Sequence, residues 1–213
     1  MIVWLLKLNK IWYFIFLCLL AAIFTILWNY YITEILAYNV LSEQYTLEQI
    51  QKILSSLKTW QFVAYVLIPI IIIIRILYTS FCLYAGSLFQ EYKWGFKKIF
   101  NISLKADIIF ILSQIINFYY YLFIKDAHTL NEVNTNCLSI LNWVGQENIP
   151  TWLVSAYNSA NAFELLYIIL LVVLLHKSFN QSLIKTIVFV LLTYGIGTYL
   201  YIATMTFLYL NYM

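Results

Sequence analysis

Residues 60–85 read WQFVAYVLIPIIIIIRILYTSFCLYA. The stretch is apolar and long enough to cross a hydrocarbon core of ~30 Å at ~1.5 Å per residue. It also carries Arg75, the only arginine in the chain. An ionised side chain in hydrocarbon costs roughly 2.5–3.5 kcal/mol on insertion scales, so Arg75 is expected to face protein, water or an acid rather than lipid. Pro69 removes one backbone donor within the same stretch and is expected to bend it.

The rest of the composition agrees with a membrane location. Of 213 residues, 64% are hydrophobic and only 10% charged, with a mean hydropathy of +0.85. A soluble core of this size cannot hide so much apolar surface, so the chain reads as an all-α, polytopic integral membrane bundle whose first partner is the lipid bilayer. A net charge of +3, spread over dispersed lysines, excludes nucleic-acid binding.

Five spans are expected, at about 11–31, 60–85, 106–124, 159–176 and 186–210, in a single membrane domain. Lys7 and Lys10 precede the first run, which is too long for the apolar core of a signal peptide and reads as a retained helix. Trp12, Tyr13, Trp28, Tyr30 and Tyr31 sit where headgroups would lie. Between the first two spans, Leu47, Ile50, Ile53, Leu54 and Leu57 recur at helical spacing behind a Thr46/Gln49 capping box. That spacing predicts a separate amphipathic helix over about 47–58, either interfacial or docking a partner.

Residues 86–105 interleave Lys93, Lys97, Lys98 and Lys105 with five aromatic residues, a composition suited to an interfacial anchor or to acidic headgroups. The loop from Lys125 to Asn158 is expected to be ordered and partly helical, with Pro150 opening a helix. With the N-terminus inside, eight lysines lie on the cytoplasmic side and Lys52, Lys58 and Lys125 outside; this bias predicts a cytoplasmic N-terminus and an external C-terminus.

Candidate site residues are few. Arg75 and Glu164 are the two charges placed well inside spans, and either a structural pair or a ligand site is compatible with them. Counted from the outer ends of the expected spans, they lie ~21 Å and ~8 Å deep, which separates them unless tilt or a bend closes the gap. Gln114 and Asn117 share a polar face of the third span with Ser113, as helix-to-helix glue or a ligand lining. Thr193 and Gly197, four apart, form one small-residue strip of the last span and Gly195 another, both expected to touch neighbouring helices.

Cys18, Cys82 and Cys137 lack metal or redox spacing, and His128 and His176 fall at opposite surfaces, so no metal site and no cofactor are expected. No phosphate-loop, dinucleotide, zinc-protease or nucleophile-elbow motif is present, so a catalytic role is not expected.

At residues 83–124 and 150–208 the chain resembles bacterial members of the Yip family. The resemblance is carried by LYAGSLFQEYKWGFKKIFNISLKADIIFIL, with Gly86, Gly95, Phe96 and Lys97, and by NAFELLYIILLVVLLHKSFNQSLIKTIVFVLLTYGIG. It implies a five-span inner-membrane protein with a cytosolic N-terminus and no defined catalytic residues. Together these features predict a non-catalytic scaffold or accessory subunit that binds other membrane proteins or itself. The alternative is a transporter or permease component, with Arg75, Glu164, Gln114 and Asn117 lining a polar path.

Overall fold

In hydrocarbon every backbone N–H and C=O must find its partner within the chain, so apolar runs of this length fold as helices. The computed structural model describes residues 9–42, 45–125, 127 and 129–212. Lys7, Glu43, Asp126, His128 and Met213 lie outside the described residues.

Five helices are long and apolar enough to cross a membrane: α1 Lys10–Ser42, α2 Leu47–Phe89, α3 Phe96–Phe123, α4 Ala162–Phe179 and α5 Leu183–Asn211. Two of them contain a single π-turn, at Asn29–Thr33 in α1 and Leu191–Gly195 in α5. The chain is an all-α, multi-pass integral membrane bundle.

The element bounds depart from expectation at three places. The predicted amphipathic helix over 47–58 is no separate element, because α2 runs unbroken for 43 residues through both it and Pro69. Thr46 still opens that helix, its backbone N–H donating to Gln49 Oε1 at 3.1 Å. The first span continues through its π-turn to Ser42, so α1 and α2 lie side by side beyond Trp28. There Ala37 and Ile50 are buried and Lys58 meets Glu34 at 3.4 Å. The third span begins at Phe96 instead of 106: the face carrying Ile99, Ile102, Ser103 and Ala106 is buried, and that burial, not the interface, decides where the segment goes.

The core falls into three clusters. At the end carrying most lysines, Leu83, Trp94, Ile99, Ile102, Tyr167, Leu171, Leu175, Phe189 and Val190 pack α2, α3, α4 and α5 together. Tyr13, Leu17 and Ala21 of α1 meet Ile72 and Ile76 of α2 and Ile111 of α3. At the opposite end Ile32, Phe118, Tyr121 and Val133 join α1 and α3 to the long loop.

Between α3 and α4 the described residues are partly helical, as expected, with short helices at Leu130–Val133, Ile140–Val144 and Val154–Ser159. Pro150 precedes a 3-10 turn at Thr151–Leu153 that leads into the last of these.

A candidate ligand cleft

Arg75 finds its partner on α3. Its Nε and Nη2 donate to Asp107 Oδ1 and Oδ2, each at 2.7 Å, a two-pronged pair that only the planar guanidinium fork can make. The guanidinium carbon lies 4.2 Å from the centre of the Phe110 ring, one turn on from Asp107. Asp107 sits where α3 tightens between its two segments, its side chain 0% exposed. Arg75 is 32% exposed. The pair is therefore buried on the acid's side and open on the arginine's.

Of the two readings open for Arg75 and Glu164, the direct pair does not form. Asp107 supplies both oxygens that the fork can reach from α2. Glu164 instead accepts a hydrogen bond from the Tyr194 hydroxyl at 2.6 Å. It occupies the first turn of α4, where the Asn161 side chain caps its backbone N–H at 2.9 Å. Tyr194 is turned inward by the π-turn of α5, a local widening of the helix often found at functional sites. Beneath them the Tyr167 hydroxyl donates to Thr79 Oγ1 at 3.0 Å, and its ring packs 4.7 Å from Phe110 and 5.4 Å from Tyr194.

Arg75 and Glu164 nevertheless line one cavity of about 470 Å³. Its floor is Phe110 and Tyr194, its walls are Ile71, Ile74 and Tyr78 of α2 and Thr198, Tyr201 and Ile202 of α5, and its roof includes Asn136, Asn158 and Asn161. The outer ends of α2 and α4 are not level, so depth is compared from their other ends. Arg75 precedes the end of α2 at Phe89 by 14 residues, and Glu164 precedes the end of α4 at Phe179 by 15. At ~1.5 Å per residue both stand about 21–22 Å from the lysine-rich end, and α2 simply continues past the level where α4 begins.

Gln114 and Asn117 do not join them. They line a second, smaller cavity of about 290 Å³ with Phe24, Trp28 and Asn136. Asn117 is held there by the loop: its Nδ2 donates to Asn136 Oδ1 and its Oδ1 accepts from the Cys137 backbone, both at 2.8 Å. Gln114 is exposed. The four polar residues thus divide into two pairs, with Asn136 at the edge of both cavities.

The small residues of α5 also divide. A Cβ on Gly197 would stand 2.7 Å from Cys82 Sγ, and one on Gly86 would overlap Thr193 Cγ2, so Thr193 and Gly197 pack directly on α2. A Cβ on Gly195 would meet nothing within 4 Å. The expectation that Gly195 touches a neighbour is therefore overturned, because its side of α5 turns away from α2.

No protein-family model, no curated protein and no solved structure matches this chain. The side chains of the cleft must carry its assignment. Among the described residues no group of three or more His, Cys, Asp or Glu side chains is placed to hold a metal ion. All three cysteines are free; Cys137 is buried, and burial pushes its thiol above the usual range. His176 pairs with the Gln181 carbonyl in the turn between α4 and α5.

Sequence reasoning missed Asp107, Tyr194 and the asparagines of the loop. Asp107 is the second residue of the span expected over 106–124 and so reads from the sequence as an edge residue. The helical spacing of Ile99, Ile102 and Ala106 ahead of it was the signal that the helix had already begun.

Proposed function

We propose that the protein is a non-catalytic membrane protein that holds a polar ligand in the cleft between α2 and α5, as a transporter or permease component. One observation carries the proposal: Arg75 is neutralised by a buried Asp107, yet opens on a cavity that it shares with Glu164. A charge whose only task was to fasten two helices would be closed over, since exposed ionic surface inside a bilayer is costly. The volume falls within the usual ~300–1,000 Å³ range for small-molecule sites.

The scaffold reading draws on the small-residue surface of α5, the amphipathic helix expected over 47–58 and the absence of catalytic motifs. The Thr193 and Gly197 strip is taken up by packing on α2, which favours the ligand-binding alternative; residues 47–58 continue into α2 with Ile50 buried and Leu47 and Leu57 still exposed. We place the protein in a bacterial inner membrane with the N-terminus cytoplasmic, on the lysine distribution and the Yip-like stretches; the cleft then lies in the half of the bundle nearer the external side.

The test is a water-soluble maleimide applied to the membrane-embedded protein bearing Thr198→Cys, with the three native cysteines replaced. Thr198 lines the cleft and Gly195 on the same helix does not. Thr198→Cys should react and Gly195→Cys should not. Reaction of Thr198→Cys only after denaturation would mean a sealed cavity and a structural pair.

A further inference from the structure

The charged and amide residues that line this cleft leave three polar side-chain atoms without a hydrogen-bond partner among the described residues. Arg75 uses Nε and Nη2 on Asp107, leaving Nη1. Glu164 uses Oε1 on Tyr194, leaving Oε2. Asn136 uses Oδ1 on Asn117 and its backbone N–H on Asn158, leaving Nδ2. All three residues line the same cavity. Two donors without a partner, one of them charged, and one carboxylate oxygen without a partner thus belong to residues that line a single space, Asn136 bordering the smaller cavity as well.

Arg75 and Asp107 cancel, so the ionised cleft carries the single negative charge of Glu164. A simple anion gains the two donors but is repelled by that carboxylate; a simple cation leaves the donors unpaired. A ligand bearing both an anionic group and an N–H-rich cation satisfies all three atoms. A primary ammonium brings three donors to Glu164, and a trimethylammonium brings none.

The walls point to where such a ligand comes from. Ile71 and Ile74 are 56% and 60% exposed and Tyr201 is 51% exposed, so the cleft continues onto the outer surface between α2 and α5. An acyl chain can leave there into the bilayer. The site also lies in the leaflet of the loop end: Glu164 is two residues from the start of α4, about 3 Å along its axis.

We infer that the cleft takes a zwitterion with a primary ammonium group, presented by the bilayer as the ethanolamine headgroup of a phospholipid. Its phosphate meets Arg75 Nη1 and Asn136 Nδ2, its ammonium meets Glu164 Oε2, and its tails lie along Ile71, Ile74 and Ile202. This assignment rests on the ligand-binding reading above.

The experiment is native mass spectrometry of the full chain released from nanodiscs holding equal parts phosphatidylethanolamine, phosphatidylcholine and phosphatidylglycerol. Phosphatidylethanolamine should be retained about 10-fold over either competitor, the worth of one charge-assisted hydrogen bond. Glu164→Gln keeps an oxygen for Tyr194 and should remain folded by thermal melt while losing the preference. Equal retention of phosphatidylcholine overturns the ammonium assignment, and equal retention of phosphatidylglycerol overturns the zwitterion. A parallel arm adds soluble O-phosphoethanolamine: its binding with no enriched lipid overturns the bilayer source. Thr198→Cys is labelled in nanodiscs of phosphatidylcholine alone, where no ethanolamine headgroup occupies the cleft. A reactive cysteine with no lipid preference sinks this inference and leaves the ligand-binding reading standing, whereas an unreactive one sinks both.

Discussion

At the lysine-rich end of the bundle Trp94 stacks on Phe179 at 4.2 Å and meets Phe189 edge-on at 4.9 Å, and Gly86 admits Thr193 so closely that no Cβ would fit. At the loop end the contacts are of another kind. Asn117, Asn136, Asn142, Asn158 and Asn161 tie three short helices to the ends of α3 and α4 by side-chain hydrogen bonds, and both cavities described above open among them. The difference teaches how one small bundle combines rigidity with an open charged site. Ring stacking and close helix approach need no polar partners, so that end can be packed solid. A cap built of amides satisfies its own backbone and leaves room above Arg75. The ion pair lies on the border between the two regions.

The comparison breaks most severely at that border. Asp107→Ala leaves Arg75 without its acid in a low-dielectric interior and should cost about 3–5 kcal/mol, seen as a lower unfolding temperature in nanodiscs. Replacing both charges, as Arg75→Met with Asp107→Leu, should recover most of that loss while abolishing ligand retention. A double variant as unstable as the single one would show that the pair is not the cause. Arg75→Lys should rescue only partly, because lysine cannot make the two-pronged contact.

Within the packed end, Gly86→Ala should cost about 1–3 kcal/mol by overpacking. Thr193 cannot turn aside freely, since its hydroxyl donates to the Phe189 carbonyl at 2.8 Å. A melting curve like that of the native protein would mean that α2 and α5 are less closely apposed than described.

At the amide cap, Asn117→Leu removes the partners of Asn136 and of the Cys137 backbone and should cost about 1–2 kcal/mol. It has a second readout. Cys137 is 4% exposed and its thiol is raised by burial, so in the native protein it should resist maleimide at neutral pH; Asn117→Leu should make it react. Native Cys137 is for the same reason no reporter of topology. Rapid labelling of the unmodified protein would show that the cap opens without mutation.

The smallest effect belongs to Gly195. With nothing within 4 Å of its Cβ position, Gly195→Leu should change stability by no more than ~0.5 kcal/mol, and Gly197→Leu, which meets Cys82 and Tyr78, should cost clearly more. Equal losses in the two variants would mean that glycine itself, and not the α2–α5 contact, matters in this helix.

From the sequence alone the all-α, five-span membrane architecture was legible, together with Arg75 and Glu164 as the two charges of interest and the Thr46 start of α2. Hydropathy, helical spacing and capping are local properties, so a window of some twenty residues contains them. Which acid pairs with Arg75 was decided only by the tertiary structure. Asp107 and Glu164 are both acids on apolar helices, and the choice between them depends on how α3 and α4 are set beside α2. The separation of Gln114 and Asn117 from Arg75 has the same origin: residues on different helices share a cavity only through rotation and offset that no single helix encodes. Gly195 and Gly197 show the point at its smallest scale. They are two residues apart in one helix, and only the position of α2 makes one a contact and the other a bare surface.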